Sequence, residues 1–88
     1  MTDPKPLLFL LGANHRSASV ELREALYIAE EQLSALLPVI KERFGLQELA
    51  ALSTCNRFEM MGVARDVPGL AAELQEAFLE LHRHHGVF

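Results

Sequence analysis

An 88-residue chain holds one domain or a piece of one. Half of its residues are hydrophobic and 23% are charged, the composition of a globular fold rather than of a disordered segment. Twelve acidic against eight basic residues give a net charge of −4, which excludes broad, sequence-blind nucleic-acid binding but leaves room for a local basic spot.

Met1 to Pro6 reads as a flexible, proline-containing leader. Leu7 to Leu11 is a run of five apolar residues, too short for a signal-peptide core or a membrane span. It suits a buried central strand closed by Gly12. "NHRSAS" follows as a loop, and Ser19 is placed to N-cap a short helix with Glu21 in its first turn. Val20, Leu22, Ala25 and Leu26 give that helix a partly apolar face. The helix is expected to continue over "EEQLSALLPVIKERFG", where Leu33, Leu36, Leu37, Ile40 and Phe44 recur at helical spacing. Pro38 should kink or restart it, and Gly45 is a natural stop. A second strand is expected over Leu49 to Ser53, a four-residue connection over "TCNR", and a third strand over Phe58 to Ala64 with Gly62 marking a bulge. Asp66 and Pro68 open a last helix whose apolar stripe is Leu70, Leu74, Ala77, Phe78 and Leu81, and Gly86 ends it.

The order β-α-β-β-α matches an α+β, ferredoxin-like split βαβ fold, an antiparallel sheet with helices on one face and its last strand missing. In that topology strand 3 lies between strands 1 and 2. The loops "NHRS" and "TCNR", each following an upward strand, then sit at the same end of the sheet.

Cys55 is the only cysteine, so the chain forms no internal disulfide and no multi-cysteine zinc site. A lone reduced thiol fits the cytoplasm. From its neighbours alone Cys55 has two readings. Free cysteine is among the most buried residue types, and a packed small hydrophobe is the ordinary one. A turn between strands would instead expose the sulfur as a nucleophile, with Arg57, Arg16 and His15 near enough to favour a thiolate. Arg57 could clamp a carboxylate or stand as a solvated strand-end charge. Thr54 and Asn56 could bond a substrate or make the turn. His15 could act as a base or bond the loop backbone, and Ser53 has no paired base and reads as a strand-end hydroxyl. "HRHH" holds His82, His84 and His85, and reads as a solvated tail rather than a metal site. No GxGxxG is present.

Two segments together are more specific. "GANHRSASVELREAL" and, some thirty residues later, "LSTCNRFE" resemble the N-terminal catalytic domain of the glutamyl-tRNA reductase family. The second motif is complete in Ser53, Thr54, Cys55, Asn56, Arg57 and Glu59. The first is matched at Gly12, Asn14, His15, Ala18, Val20, Glu21, Arg23 and Glu24. Ala13, Ser19, Ala25 and Met61 depart from the usual leucine, proline, arginine and tyrosine.

The resemblance implies that Cys55 attacks the ester of glutamyl-tRNA to form a thioester. NADPH then reduces it to glutamate 1-semialdehyde for tetrapyrrole synthesis. It implies that Thr54 and Arg57 hold the glutamate and that Asn56 belongs to the same substrate loop; His15 and Arg16, in the facing loop, could support the thiolate beside them. It also implies that NADPH and homodimer contacts lie outside this chain, which alone is not expected to complete the reduction. The alternative is a stand-alone ferredoxin-like interaction module without catalysis, open to pairing along the edge of strand 1. A peroxide-sensing thiol is a third reading and lacks a resolving cysteine in the chain.

Overall fold

The computed structural model describes residues 4–14, 16 and 19–84. Three strands, β1 (Pro6–Asn14), β2 (Glu48–Ser53) and β3 (Arg57–Arg65), form one antiparallel sheet in the order β1-β3-β2. Three helices complete the chain: α1 (Val20–Leu26), α2 (Glu30–Arg43) and α3 (Leu70–His84). This is the expected α+β architecture, with the central position of β3 as the topology requires. β1 is longer than the apolar run suggests, because its alternation extends to Asn14. At its start it takes in Pro6 of the expected leader, and the Lys5 carbonyl accepts from the Asp66 amide at 2.8 Å.

The register explains which face is buried. Phe9 stands opposite Gly62, Leu11 and Ala51 opposite Met60, and Ala13 and Ser53 opposite Phe58. Successive residues on a strand point to opposite faces, so these positions share one side of the sheet. Phe9, Phe58, Met60 and Ala64 on that side join Leu26, Ile28, Leu33, Ile40, Leu46, Leu70, Leu74, Ala77 and Leu81 in the core. The other side is open: Leu8 is 79% exposed and Leu10 64%.

Four local expectations need correction. The first concerns the helix from Ser19 onward, which is two helices. Tyr27 and Ala29 are extended, with ψ of 130° and 146°, and Ile28 between them is fully buried. The extended step turns Ile28 into the core, which a continuous helix would not. Second, α2 runs through Pro38 to Arg43 without a restart, its inner side held by Leu33 and Ile40. Tertiary packing of an apolar face outweighs one lost intrahelical bond. Third, Gly62 marks no bulge. It pairs in unbroken register with Phe9 and Leu49. A Cβ there would run into the Glu48 carbonyl oxygen and stand 3.1 Å from the Phe9 ring, so the glycine serves a close approach. Fourth, β1 is an edge strand rather than a buried central one: β3 takes the middle of the sheet, and Leu7, Leu8 and Leu10 are exposed.

Two caps are as expected. The Ser19 hydroxyl accepts from the Leu22 amide and starts α1. Gly45, at φ 64°, ends α2 in a Schellman arrangement. The Gly45 amide donates to the Glu42 carbonyl and the Leu46 amide to that of Lys41. The Gly86 stop lies outside the described residues.

Candidate functional site at the end of β2

β2 and β3 are joined by a tight turn whose tip is Cys55 and Asn56. The Thr54 amide donates to the Arg57 carbonyl at 2.9 Å. The Thr54 hydroxyl oxygen accepts from the amides of both Asn56 and Arg57, each at 3.2 Å. Two-residue hairpin turns of the favoured kinds need φ > 0. No non-glycine residue among those described has it. The threonine side chain instead takes up the amide donors that such a turn leaves free. The tip is therefore exposed yet held by the hydrogen bonds of Thr54.

Cys55 is exposed at this tip. The packed-hydrophobe reading does not hold for it. A cavity of about 570 Å³ opens beside it, lined by Glu24, Tyr27, Ser53, Thr54 and Cys55. The walls come from α1, the α1–α2 connector and the end of β2. Below the rim, the Ser53 hydroxyl accepts from the Ile28 amide at 2.9 Å. Ser53 thus ties the connector to β2, a role its strand-end position alone did not announce.

The remaining candidates divide. Thr54 lines the cavity, and Asn56 sits at the tip beside Cys55. Arg57 begins β3, one residue before the inward-facing Phe58, so the pleat turns it to the opposite, open face. There its guanidinium lies 3.3 Å from the Glu59 carboxylate, and Asn14 of β1 is its cross-strand partner. Arg16 is exposed, and its amide donates to the Asn14 side chain at 2.8 Å. The pairing of Asn14 with Arg57 puts the end of β1 and the start of β3 at one end of the sheet, as the topology requires. His15 lies outside the described residues.

Residues 82–85 do not read as a solvated tail throughout. His82 is fully buried. Its Nδ1 is 2.8 Å from the Phe78 carbonyl oxygen and its Nε2 3.1 Å from that of Leu26, and the ring packs against Phe58 and Phe78. The available signal was spacing. His82 falls four residues after Phe78 and eight after Leu74, on the apolar stripe itself. His85 and the side chain of His84 lie outside the described residues. Among those described, no group of three or more His, Cys, Asp or Glu side chains gathers to hold a metal, and no helix is long and apolar enough to cross a membrane. Glu24 and Tyr27, as cavity walls, were missed because a helix end is brought to a strand end only by the fold.

Comparison with known proteins gives a consistent picture. A family profile described as glutamyl-tRNAGlu reductase, N-terminal domain, matches residues 11–87. A glutamyl-tRNA reductase of Acinetobacter baumannii is 44% identical over 69 residues, covering 78% of this chain and 16% of that protein. One from Nitrosococcus oceani is 41% identical over 81 residues, covering 91% and 18%. One from Synechococcus elongatus is 39% identical over 77 residues, covering 88% and 17%. The chain spans about one sixth of the length of these curated relatives.

Proposed function

We propose, since this chain belongs to the glutamyl-tRNA reductase N-terminal domain family, that it performs the acyl-transfer half of that enzyme's reaction. Cys55 is the nucleophile. Its sulfur attacks the carbonyl carbon of the ester joining glutamate to tRNA. The new S–C bond forms, the C–O bond to the ribose breaks, and the ribose hydroxyl takes the proton that left the thiol. The observation that carries this reading is an exposed thiol on a hydrogen-bonded turn at the mouth of a cavity. A nucleophile held in place before the substrate arrives avoids the entropy cost of ordering it during reaction.

Thr54 and Asn56, on the same turn, would bond the glutamyl group. Arg57 would clamp its γ-carboxylate by exchanging Glu59 for the substrate. Their ion pair is long and solvent-exposed, a kind worth about 1 kcal/mol at most, so the exchange costs little. Arg16 and His15 would support the same end of the sheet. The cell compartment is the cytoplasm, and the product serves tetrapyrrole synthesis.

NADPH supplies the hydride that reduces such a thioester to an aldehyde. The described residues do not fit that cofactor. The sheet is wholly antiparallel, Gly12 and Gly62 are packed against backbone within strands, and no glycine-rich loop opens a helix. NADPH binding is assigned to a part of the enzyme outside these residues.

The test is incubation of the chain with glutamyl-tRNA followed by intact mass spectrometry. A glutamyl adduct on Cys55, released by hydroxylamine and absent in Cys55→Ser, is the expected result. An adduct that persists in Cys55→Ser, or none in the unsubstituted chain, would overturn the assignment. The latter, with self-association through the open face of Leu8 and Leu10, would favour an interaction module.

A further inference from the structure

We infer that His82 is a positioning residue for the Cys55 cavity: it holds the carboxyl end of α1 so that Tyr27 stands as the cavity wall. Its role in acyl transfer rests on the reading above, while its effect on Tyr27 does not.

The bond from His82 reaches across 56 residues, from α3 to the Leu26 carbonyl. Leu26 is the last residue of α1, where helix carbonyls have no intrahelical donor. Tyr27, the next residue, lines the cavity. One residue further, the Ile28 amide is taken by Ser53, two positions before Cys55. The connector that carries Tyr27 is therefore pinned on both sides, by α3 through His82 and by β2 through Ser53. The His82 ring also packs against Phe58, with centroids 4.6 Å apart, three residues after Cys55.

Core stability alone does not call for a histidine here. The position belongs to the stripe of Leu74, Phe78 and Leu81, where a leucine would bury more cheaply. Both ring nitrogens face carbonyl oxygens, which only accept. We place the proton on Nε2, which then donates to Leu26; the Nδ1–H tautomer would bond only the Phe78 carbonyl. A leucine would leave the Leu26 carbonyl without this donor and the end of α1 free to shift.

The chain offers a direct probe, because Tyr27 is its one tyrosine and there is no tryptophan. Tyrosine fluorescence and its quenching by acrylamide report on the cavity wall alone. Four variants are compared at a temperature where circular dichroism shows each folded. His82→Phe keeps a packed ring and loses the bond. His82→Gln keeps a side-chain donor. Ser53→Ala releases the connector from the other side as a positive control, and His82→Met, which also lacks the donor, replaces His82→Phe should that variant fail to fold. Leu70→Ala weakens the same helix at its far end.

His82→Phe and Ser53→Ala are expected to raise Tyr27 quenching, with His82→Gln intermediate and Leu70→Ala unchanged. Acylation of Cys55 by glutamyl-tRNA should fall about tenfold in the first two, as misplaced walls do to reaction rates, while its alkylation by iodoacetamide stays within about twofold. Quenching unchanged in the folded His82 variant that lacks the donor, whatever Ser53→Ala does, or raised equally by Leu70→Ala, would overturn the inference. Absence of acylation in the unsubstituted chain would overturn the acyl-transfer reading instead, and quenching would still decide the case of His82.

Discussion

Gly62→Ala is expected to destabilise the chain by about 3 kcal/mol, at the upper end of the cost of overpacking. The sign is not obvious from the sequence. Replacing glycine by alanine in a strand ordinarily helps by about 0.5–1 kcal/mol, because the unfolded chain loses freedom. Here the added Cβ meets the Glu48 carbonyl oxygen, lies 2.9 Å from the Glu48 carbonyl carbon, and is 3.1 Å from Phe9 Cε1. The first two are backbone atoms of β2, held in register opposite Val63 and Gly62. They cannot swing aside as a flexible side chain would. Relief requires β2 to move away from β3, which strains the ladder and the Cys55 turn that follows it. A chain of 88 residues has a total stability of about 4–13 kcal/mol, so the loss is a large share of it. Urea denaturation followed by circular dichroism measures it as a lower midpoint at unchanged slope. Gly45→Ala is the comparison. Nothing lies within 4 Å of its Cβ, and only the left-handed φ of 64° is strained, at about 1 kcal/mol. A Gly62→Ala loss no larger than that of Gly45→Ala would refute the reasoning.

Two further outcomes test the site and the open face. Thr54→Val should cost no more than about 1 kcal/mol at this exposed turn, yet strip the Asn56 and Arg57 amides of their protection from hydrogen exchange, since both donate to the lost hydroxyl; unchanged protection would show that the backbone alone holds the turn. Leu10→Lys, on the uncovered side of the sheet, should leave stability within about 0.5 kcal/mol, read from the same urea midpoint; a larger loss would mean that this face is covered in solution.

Much of the frame was legible in the sequence, for identifiable reasons. The order of one strand, helix, two strands and helix leaves few right-handed arrangements, so β3 in the centre and both loops at one end followed from topology. Ser19 and Gly45 were readable because capping depends on a hydroxyl or on φ > 0 at one residue. The break at Tyr27 to Ala29 was not, because no proline, glycine or capping side chain marks it. It arises from the demand of the core for Ile28. The direction of Arg57 was readable in principle. Phe58, Met60 and Ala64 alternate inward, and parity then sends Arg57 outward, away from Ser53. Its proximity to Cys55 in sequence was the more conspicuous signal and pointed the other way.

The site therefore has a division of labour set by the pleat. Ser53 faces inward and fastens the connector, whereas Arg57 faces outward and presents its charge at the sheet's open side. Cys55 lies at the crossing between them, on the one short segment that belongs to neither face. A substrate whose reacting carbonyl sits at the thiol can then have its two ends met from different sides of the sheet. Under the proposed acyl transfer its carboxylate would reach round to the outer arginine, and its ester would lie against the wall of Tyr27 and Glu24. Glutamyl-tRNA has this shape, a small anionic side chain on one side of the ester and a bulky polynucleotide on the other. The turn must then be rigid although it is exposed. A thiol free to swing would lose its relation to both faces at once, and the hydrogen bonds that Thr54 makes with Asn56 and Arg57 supply that rigidity without a buried loop.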